Sequence, residues 1–324
     1  MLIKSSLSAL ICASITAIGS VAAAAQPVIP KMVKIVVPFS PGASNDVFGR
    51  ALAEKLSRKL GVNFIVENKP GAGGTIGALD VARSKPDGGT LLFSSTSFVT
   101  NAATNQKLPY DAMKDFEPVA VAAKGAMLLV VGKNTPYQNV SDFIASLKSD
   151  KKQINYGSAG IGSIGQMSSE LLNVMAGSDM VHVPYKGITN AASDMIGGRL
   201  EAMITTPASI SGPLQGREVR PLAVTSLDTS RFYPDLPTLA SALPDYSVDV
   251  WWGVYAPAGT PTDIVNAYNN AIREVSAEQS MRDLFAREAT EPTDLDVVGA
   301  TAYIRGELAK WRAVAKDRHI AIGN

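Results

Sequence analysis

The sequence predicts an α/β fold with two lobes, and three observations support this prediction. Strand-like and helix-like segments alternate along most of the chain, which is typical of mostly parallel sheets with helices on both faces. The chain has 324 residues, of which 46% are apolar, and single hydrophobic cores stop growing at about 250 to 300 residues. A second series of strands begins near Met127, after the first alternation is complete. We therefore expect two sheets joined by chain crossings, without a flexible linker.

The first alternation starts with a mostly β-branched run over 33–39, which predicts a strand. A short loop over 40–46 follows, and apolar residues at helical spacing then continue to Leu60. Gly61 suits the left-handed position that ends a helix. The pattern repeats with a strand over 63–67, a glycine-rich turn over 70–77 and another strand over 90–94. These elements predict the first sheet.

The second series consists of further strand-like segments separated by amphipathic helical patterns. The segments are 127–131, 154–156, 180–184, 201–204 and 220–225. A last strand pattern over 248–255 precedes a final quarter in which we predict helices only, the first of them with Pro261 at its first position. We predict lobe I over 26–124 plus 249–324 and lobe II over 125–248.

The first 25 residues have the pattern of a secretory signal peptide. Lys4 precedes an apolar run over 7–21, and alanines at 22–25 follow it. The run is shorter than the ~20 residues that a membrane-spanning helix needs. Lipoprotein processing at Cys12 would need a small residue before it, and Ile11 occupies that place. We expect cleavage near Gln26 and release of a soluble monomer into the periplasm.

The composition excludes several classes of function. Lys and Arg number 30 and Asp and Glu number 29, so the chain lacks the basic excess that binds nucleic acid or anionic membranes. One Cys and two His exclude a disulfide scaffold and a Cys-rich metal site, and we predict no metal and no cofactor. G-x-S-x-G, H-E-x-x-H and phosphate-binding loop motifs are absent from the sequence. His182 lies in an apolar strand, and we expect it to be a hydrogen-bonded core histidine.

Three uncharged loops follow predicted strands at the edge where open α/β sheets bind ligands. They span 39–45, 94–97 and 157–163. Their glycines and hydroxyls, together with the free amides of the helices that follow, can hold a carboxylate. They contain no Lys, Arg, His, Asp or Glu, and hence no group for proton transfer. Ordinary turn and capping chemistry explains the same composition, so both interpretations stay open.

A glycine pattern in the third loop matches the dinucleotide-binding motif G-x-G-x-x-G. It spans Gly160 to Gly165 and follows a strand. In a dinucleotide fold an acid that binds the ribose should end the next strand, roughly 20 residues further on. Asp179 instead precedes the strand over 180–183. We therefore predict no nucleotide site here.

Short motifs in a fixed order along the mature chain resemble one family. They are Val37-Pro-Phe-Ser-Pro-Gly42, Val66-Glu-Asn-Lys-Pro-Gly-Ala-Gly-Gly74, Pro86-Asp-Gly88, Leu108-Pro-Tyr-Asp111, Tyr156-Gly-Ser-Ala-Gly160, His182-Val-Pro-Tyr-Lys-Gly187, Pro234-Asp-Leu-Pro-Thr238 and Ala256-Pro-Ala-Gly-Thr-Pro261. Each motif is short, but the ordered series resembles the extracytoplasmic solute-binding proteins of tripartite tricarboxylate transporters, also called the Bug family.

The resemblance implies a type II periplasmic-binding-protein fold, in which two α/β lobes close on a ligand in the cleft between them. It implies a receptor and not an enzyme, one that captures a small organic carboxylate and delivers it to a tripartite tricarboxylate-type membrane permease. Family members hold the carboxylate between the first β/α loop and the loop after the Tyr156 strand. With the loops near 95 and 205 added, the candidate ligand-binding residues are Phe39, Ser40, Ala43, Ser44, Ser95, Thr96, Ser158, Ala159, Ser163, Thr205 and Thr206.

The class of ligand follows from what these loops lack. A receptor for an amino acid would place a carboxylate near the ammonium group, and the loop Thr205-Thr206-Pro207 holds no acid. We expect a nitrogen-free di- or tricarboxylate, with an aromatic carboxylate left open by Phe39, Phe98 and the Trp251–Trp252 pair.

Two other functions stay open. One is a ligand-sensing periplasmic protein for signalling. The other is an exported α/β hydrolase using Ser158 or Ser163, for which only a Lys or a distant acid is expected to serve as base.

Overall fold

Two mixed β-sheets with helices on their faces make up the computed structural model, which describes residues 28–148 and 153–321. The predicted signal peptide lies outside the described residues. The strands are β1 (Met32–Val37), β2 (Asn63–Asn68), β3 (Thr90–Ser95), β4 (Phe116–Ala126), β5 (Leu128–Gly132), β6 (Asn155–Ser158), β7 (Val181–Pro184), β8 (Ala202–Thr205), β9 (Val219–Val224), β10 (Asp249–Pro257) and β11 (Thr290–Pro292).

Helices connect most of these strands, as the alternating pattern predicts. They are α1 (Ser44–Leu60), α2 (Thr75–Ala82), α3 (Ser97–Thr104), α4 (Val140–Leu147), α5 (Ile164–Ala176), α6 (Ile188–Ile196), α7 (Ser211–Gln215), α8 (Thr262–Ser276), α9 (Gln279–Ala286) and α10 (Val297–Asp317). Gly61 ends α1 in the predicted left-handed conformation, with φ 67°. None of the helices in the described ranges is long and apolar enough to cross a membrane.

The six-stranded sheet has the order β11-β4-β10-β3-β1-β2, and the five-stranded sheet has the order β7-β6-β8-β5-β9. We call the part built on the six-stranded sheet lobe I and the part built on the five-stranded sheet lobe II. The two-lobed α/β fold is confirmed. The chain passes from β4 in lobe I to β5 in lobe II, and returns after β9 through β10.

The sheets are mixed, and the expectation of mostly parallel sheets is corrected in this respect. In lobe I, β1 is parallel to β2 and β3, but β10 is antiparallel to both β3 and β4. In lobe II, β6 is parallel to β7 and β8, whereas β5 is antiparallel to β8 and β9. These antiparallel pairs involve β10 and β5, the strands on which the chain enters a sheet from the other lobe, and such a strand need not follow the direction set by a β-α-β crossover.

Two strands differ from the sequence prediction. β4 was not expected, because all but three of its residues are buried and it shows no alternation of apolar and polar positions. β11 contradicts the expectation that only helices follow residue 255, since it adds three residues to the edge of the sheet beside β4. A three-residue strand is too short to leave a periodic signal.

Helix α10 packs against both lobes. It contacts α3 in lobe I and α5 in lobe II. Buried Glu307 on α10 accepts hydrogen bonds from the indole N–H groups of Trp251 (3.1 Å) and Trp311 (3.2 Å). At the end of the helix, Arg318 binds the carboxylate of Glu170 on α5 at 2.7 Å. This helix therefore joins the two lobes on one side of the molecule.

Candidate functional site

The loop between β1 and α1 is fixed by a buried carboxylate, Asp46. Its oxygens accept hydrogen bonds from the Gly42 amide (2.9 Å) and the Asn68 side chain (2.8 Å), and Arg50 forms an ion pair with it at 2.9 Å. Burial acts to raise the pKa of Asp46, but the hydrogen bonds from Arg50, Gly42 and Asn68 outweigh it and lower the pKa. The carboxylate therefore stays charged and holds the loop in one conformation.

The predicted residues of this first loop face different surroundings. Phe39 is half-buried against the core, whereas Ser40 and Ala43 are exposed. Ser44 is the first residue of α1, and its hydroxyl donates a hydrogen bond to the carboxylate of Glu288. Two residues of this loop thus have polar partners far along the chain: the Ser44 hydroxyl binds Glu288, and the Phe39 carbonyl accepts a hydrogen bond from the Asn68 side chain at 3.1 Å.

In the second loop, one of the two predicted residues, Thr96, is buried and hydrogen-bonded to the protein backbone. Thr96 is fully buried, its hydroxyl accepts the backbone N–H of Trp251 at 2.9 Å, and its own N–H donates to the Trp251 carbonyl at 2.8 Å. Ser95 is half-buried and its hydroxyl pairs with that of Ser97 at 2.9 Å. The structure therefore places Thr96 against β10 and does not bring it to the loop surface.

The third loop contains a serine–histidine pair. Ser158 has 0% of its surface exposed, and its hydroxyl lies 2.7 Å from Nε2 of His182. Burial lowers the pKa of His182, an effect that the nearby Glu170 charge only partly opposes. The predicted hydrogen bond of His182 is confirmed, but the residue is half-buried on the edge strand β7, so the expectation of a core histidine is wrong. The expectation that only a Lys or a distant acid could be the base beside the serine is wrong, although buried Ser158 offers no surface to a substrate.

Ser163 and Ala159 complete the third loop. Ser163 precedes α5 as its N-cap, with its hydroxyl accepting the Gln166 N–H and donating to the Gly160 carbonyl at 2.7 Å. Ala159 is exposed. The loop therefore presents a capped helix N-terminus, where backbone amides and the helix dipole favour an anion.

The glycines of the G-x-G-x-x-G pattern have structural roles. Gly160 and Gly162 adopt positive φ values of 120° and 77°, which residues other than glycine rarely adopt. A Cβ atom at Gly165 would lie 2.7 Å from the carbonyl oxygen of Ile204 on β8. The pattern thus shapes the loop and lets α5 approach β8.

Several predicted residues come together around one cavity of about 180 Å³ at the N-terminus of α5. Its lining residues are Met127, Ala159, Ser163, Ile164, Gly165, Ile188, Ile204, Thr205, Thr206 and Ser209. The lining carries no charged side chain, so its polarity comes from hydroxyls and from the end of α5. Such a cavity can hold an anionic group through neutral donors.

Glu288 is the functional candidate that sequence reasoning missed. It follows α9 in lobe I and is 8% exposed. Besides Ser44 in lobe I, it lies beside the hydroxyl of Thr206 in lobe II. Burial raises its pKa, and the two hydroxyls, which favour the charged form, only partly offset this effect.

The described residues contain no cluster of His, Cys, Asp and Glu suited to a metal ion.

Comparisons with known proteins agree with this geometry. The sequence model of the family described as "Tripartite tricarboxylate transporter family receptor" matches residues 48–320 of this chain. A UPF0065 protein from the tcbD-tcbE intergenic region of Pseudomonas sp. (strain P51) is 36% identical over 244 residues, 75% of this chain and 73% of that protein. The structure of R. palustris Rpa4515 with adipate is 34% identical, with a TM-score of 0.75 over 90% of this chain and 98% of that one.

A second solved structure is similar over a comparable length. MatC from Rhodopseudomonas palustris with bound malate is 29% identical, with a TM-score of 0.72, and covers 87% of this chain and 98% of its own. The family model spans residues 48–320, and the two solved structures cover 90% and 87% of this chain. The chain therefore belongs to the tripartite tricarboxylate transporter receptor family, a family of periplasmic solute-binding receptors and not of enzymes.

Proposed function

We propose that this protein binds a small organic carboxylate between its lobes and delivers it to a membrane permease of the tripartite tricarboxylate type. The observation that carries the proposal is the uncharged cavity at the N-terminus of α5, where Ser163, Thr205 and Thr206 surround the end of a helix dipole. Adipate and malate in the two similar structures support a di- or tricarboxylate as the ligand class.

We propose that the lobes divide at 124/125 and 248/249 and that ligand binding shifts them toward a closed form. The chain changes sheet between β4, which ends at Ala126, and β5, which begins at Leu128, so the first change lies two residues beyond the proposed 124/125 boundary. It changes sheet again between β9 and β10, which begins at Asp249 and supports the second boundary. Ser44 on one lobe and Thr206 on the other both lie beside Glu288, which supports a site that draws on both lobes. A ligand stabilises the closed form by as much as it binds that form more tightly.

The binding site can be tested with an isosteric pair of substitutions at Ser163. Asp and Asn are both good N-cap residues, so Ser163→Asp and Ser163→Asn should keep α5 and the folded state. Only the aspartate adds a negative charge where we place the ligand carboxylate. We expect Ser163→Asp to abolish carboxylate binding and Ser163→Asn to retain it. Equal affinities for the two variants would move the carboxylate away from α5.

The ligand class requires a thermal-shift screen of aliphatic di- and tricarboxylates, aromatic carboxylates and amino acids, followed by calorimetry. A specific ligand at a hundredfold excess over Kd stabilises the native state by about 2.7 kcal/mol. A shift confined to one class of acid identifies that class. Folded, ligand-free protein that responds to no acid would contradict the proposed function.

Delivery and location are tested in cells. We propose that the chain is exported, cleaved near Gln26 and present in the periplasm as a monomer. The mass of the protein recovered from a periplasmic extract checks cleavage, and its sedimentation checks the monomer. Deleting the permease should abolish uptake of the ligand, whereas in the alternative of a sensing protein the regulatory response to the ligand would persist.

A further inference from the structure

A buried carboxylate lies where the two lobes meet, and the neutral cavity alone does not explain it. Glu288 receives the hydroxyl hydrogen bond of Ser44, at the start of α1, and lies beside Thr206, which also lines the cavity next to α5. A ligand that touches both Ser44 and Thr206 therefore approaches the Glu288 carboxylate as well.

The backbone around Glu288 is held firmly, so the carboxylate has a defined position. Ala289 adopts a positive φ of 53°, an uncommon conformation for a residue with a side chain. A Cβ atom at Gly125 of β4 would lie 2.3 Å from the Ala289 carbonyl oxygen, so glycine is needed there for the turn to sit against β4. The Thr290 hydroxyl donates to the Phe285 carbonyl at 2.9 Å. The turn is thus anchored on both sides of Glu288.

Within the residues that the structure describes, no Lys, Arg or His forms an ion pair with the Glu288 carboxylate. Charged residues on the neighbouring elements are paired elsewhere: Arg50 on α1 with Asp46, and Lys124 on β4 with Asp249. Arg287, the preceding residue, is exposed and lines a separate groove. Hydroxyl donors satisfy part of the hydrogen-bonding capacity of a carboxylate but do not neutralise its charge.

From this arrangement we infer that Glu288 determines ligand specificity, by selecting a carboxylate whose other end carries a hydrogen-bond donor, an ammonium or a hydroxyl group. The inference rests on the proposed function in that a ligand carboxylate binds at the N-terminus of α5, and it replaces the di- or tricarboxylate class with a carboxylate that carries a donor at its other end. The ligand carboxylate binds at the N-terminus of α5, and its donor group is received by Glu288 between Ser44 and Thr206. A second ionised carboxylate at that end meets a like charge in a site largely removed from water, where repulsion is weakly screened.

This inference revises the expectation of a nitrogen-free acid. That expectation rested on the absence of an acid from the loop at 205–207, and it could not take account of an acid supplied by the turn after α9. A donor-bearing ligand uses the hydrogen-bonding capacity of Glu288, whereas a plain dicarboxylate must overcome its charge.

The test compares ligands that differ only in the terminal group. Calorimetry at pH 7.5 measures Kd for 6-aminohexanoate, 6-hydroxyhexanoate and adipate, and for the four-carbon series 4-aminobutyrate, 4-hydroxybutyrate and succinate. The proteins are the wild type, Glu288→Gln, Glu288→Asp and a control, Glu274→Gln, which removes an exposed acid from α8 in the same lobe.

We expect the wild type and Glu274→Gln to bind a donor-terminated acid at least tenfold more tightly than the dicarboxylate of equal length. Glu288→Gln should reduce this ratio at least tenfold. If the selected donor is ammonium, its affinity falls in Glu288→Gln and is retained in Glu288→Asp. If it is hydroxyl, its affinity persists in Glu288→Gln, because the amide oxygen still accepts, and the dicarboxylate gains affinity.

Two results would overturn the inference while leaving the proposed function in place. They are tighter binding of the dicarboxylate by the wild type, and a ratio that changes less than twofold in Glu288→Gln. Should Glu288→Gln fail to fold, the ranking of ligands by the wild type and by Glu288→Asp decides alone. Failure of every acid in both series and in the wider screen would contradict the proposed function and the inference together.

Discussion

Replacing Gly165 with alanine should destabilise the protein, although alanine is the better helix former. An added Cβ would lie 2.7 Å from the carbonyl oxygen of Ile204, and backbone on the central strand of a sheet cannot move away easily. Overpacking of this kind costs about 1 to 3 kcal/mol. The helical preference for alanine returns at most about 1 kcal/mol. Because the atom in contact is backbone, we expect the upper part of the overpacking range, about 2 to 3 kcal/mol, and hence a net loss of about 1 to 2 kcal/mol in the free energy of unfolding.

Gly306 provides the matched control. It lies within α10 on the exposed side, and a Cβ added there meets nothing within 4 Å. Gly306→Ala should therefore gain the helical preference alone and stabilise the protein by about 0.5 to 1 kcal/mol. The same substitution is thus expected to lower the free energy of unfolding at Gly165 and to raise it at Gly306. Comparing the two variants removes errors common to both measurements.

Urea and thermal unfolding, followed by circular dichroism, measure both variants. At about 1.5 °C per kcal/mol for a chain of this length, Gly165→Ala should lower Tm by about 1.5 to 3 °C, and Gly306→Ala should raise it by about 1 to 1.5 °C. The slope of the urea transition should be unchanged, because neither substitution alters the surface exposed on unfolding. If Gly165→Ala raised stability as much as Gly306→Ala, the close approach of α5 to β8 would be refuted.

Three further predictions concern buried polar groups. The raised pKa of Glu288 means that its contribution to stability is present below about pH 4.5 and is lost as the pH rises through its folded-state pKa; Glu288→Gln should therefore raise Tm at pH 8 and leave it unchanged at pH 4, and an equal effect at both pH values would contradict this sign. Tyr156→Phe removes a 2.6 Å hydrogen bond to the Glu170 carboxylate and should cost about 1.5 to 3 kcal/mol, seen as a lower urea midpoint with the same slope; an unchanged midpoint would refute it. Glu307→Ala leaves two buried indole N–H groups without their acceptor and should cost about 2 to 5 kcal/mol; thermal unfolding measures the loss, and a Tm equal to that of the wild type would show that the indoles find other partners.

Most of the fold could be predicted because strand and helix signals alternate and turn residues separate them. The β-branched run of β1 and the glycine at 61 are local signals, and local signals do not depend on the rest of the chain. The neighbours of a strand are not local information. β10 follows β9 along the chain but lies between β3 and β4 in the other sheet, so the mixed direction of the sheets could not be read from the order of elements.

In the candidate site too, local features could be predicted from the sequence and long-range contacts could not. The loops that end at α1 and α5 could be located, because strand, short loop and helix N-terminus occur together in the sequence. Glu288 could not be found in this way, because it meets Ser44 across 244 positions and no motif surrounds it. Thr96 had the composition of a binding loop, yet the backbone of β10 takes up its hydroxyl.

The central place of β10 also constrains the order in which the chain can fold. All strands of lobe II lie before residue 225, so that sheet can form while the chain beyond it is still unfolded. Lobe I cannot be completed then, because β3 and β4 are separate neighbours of β10 and are joined only when residues 249–257 arrive. Contacts between strands so distant in sequence form slowly. Lobe I, although its first strand is made before any strand of lobe II, is therefore the last to close its core.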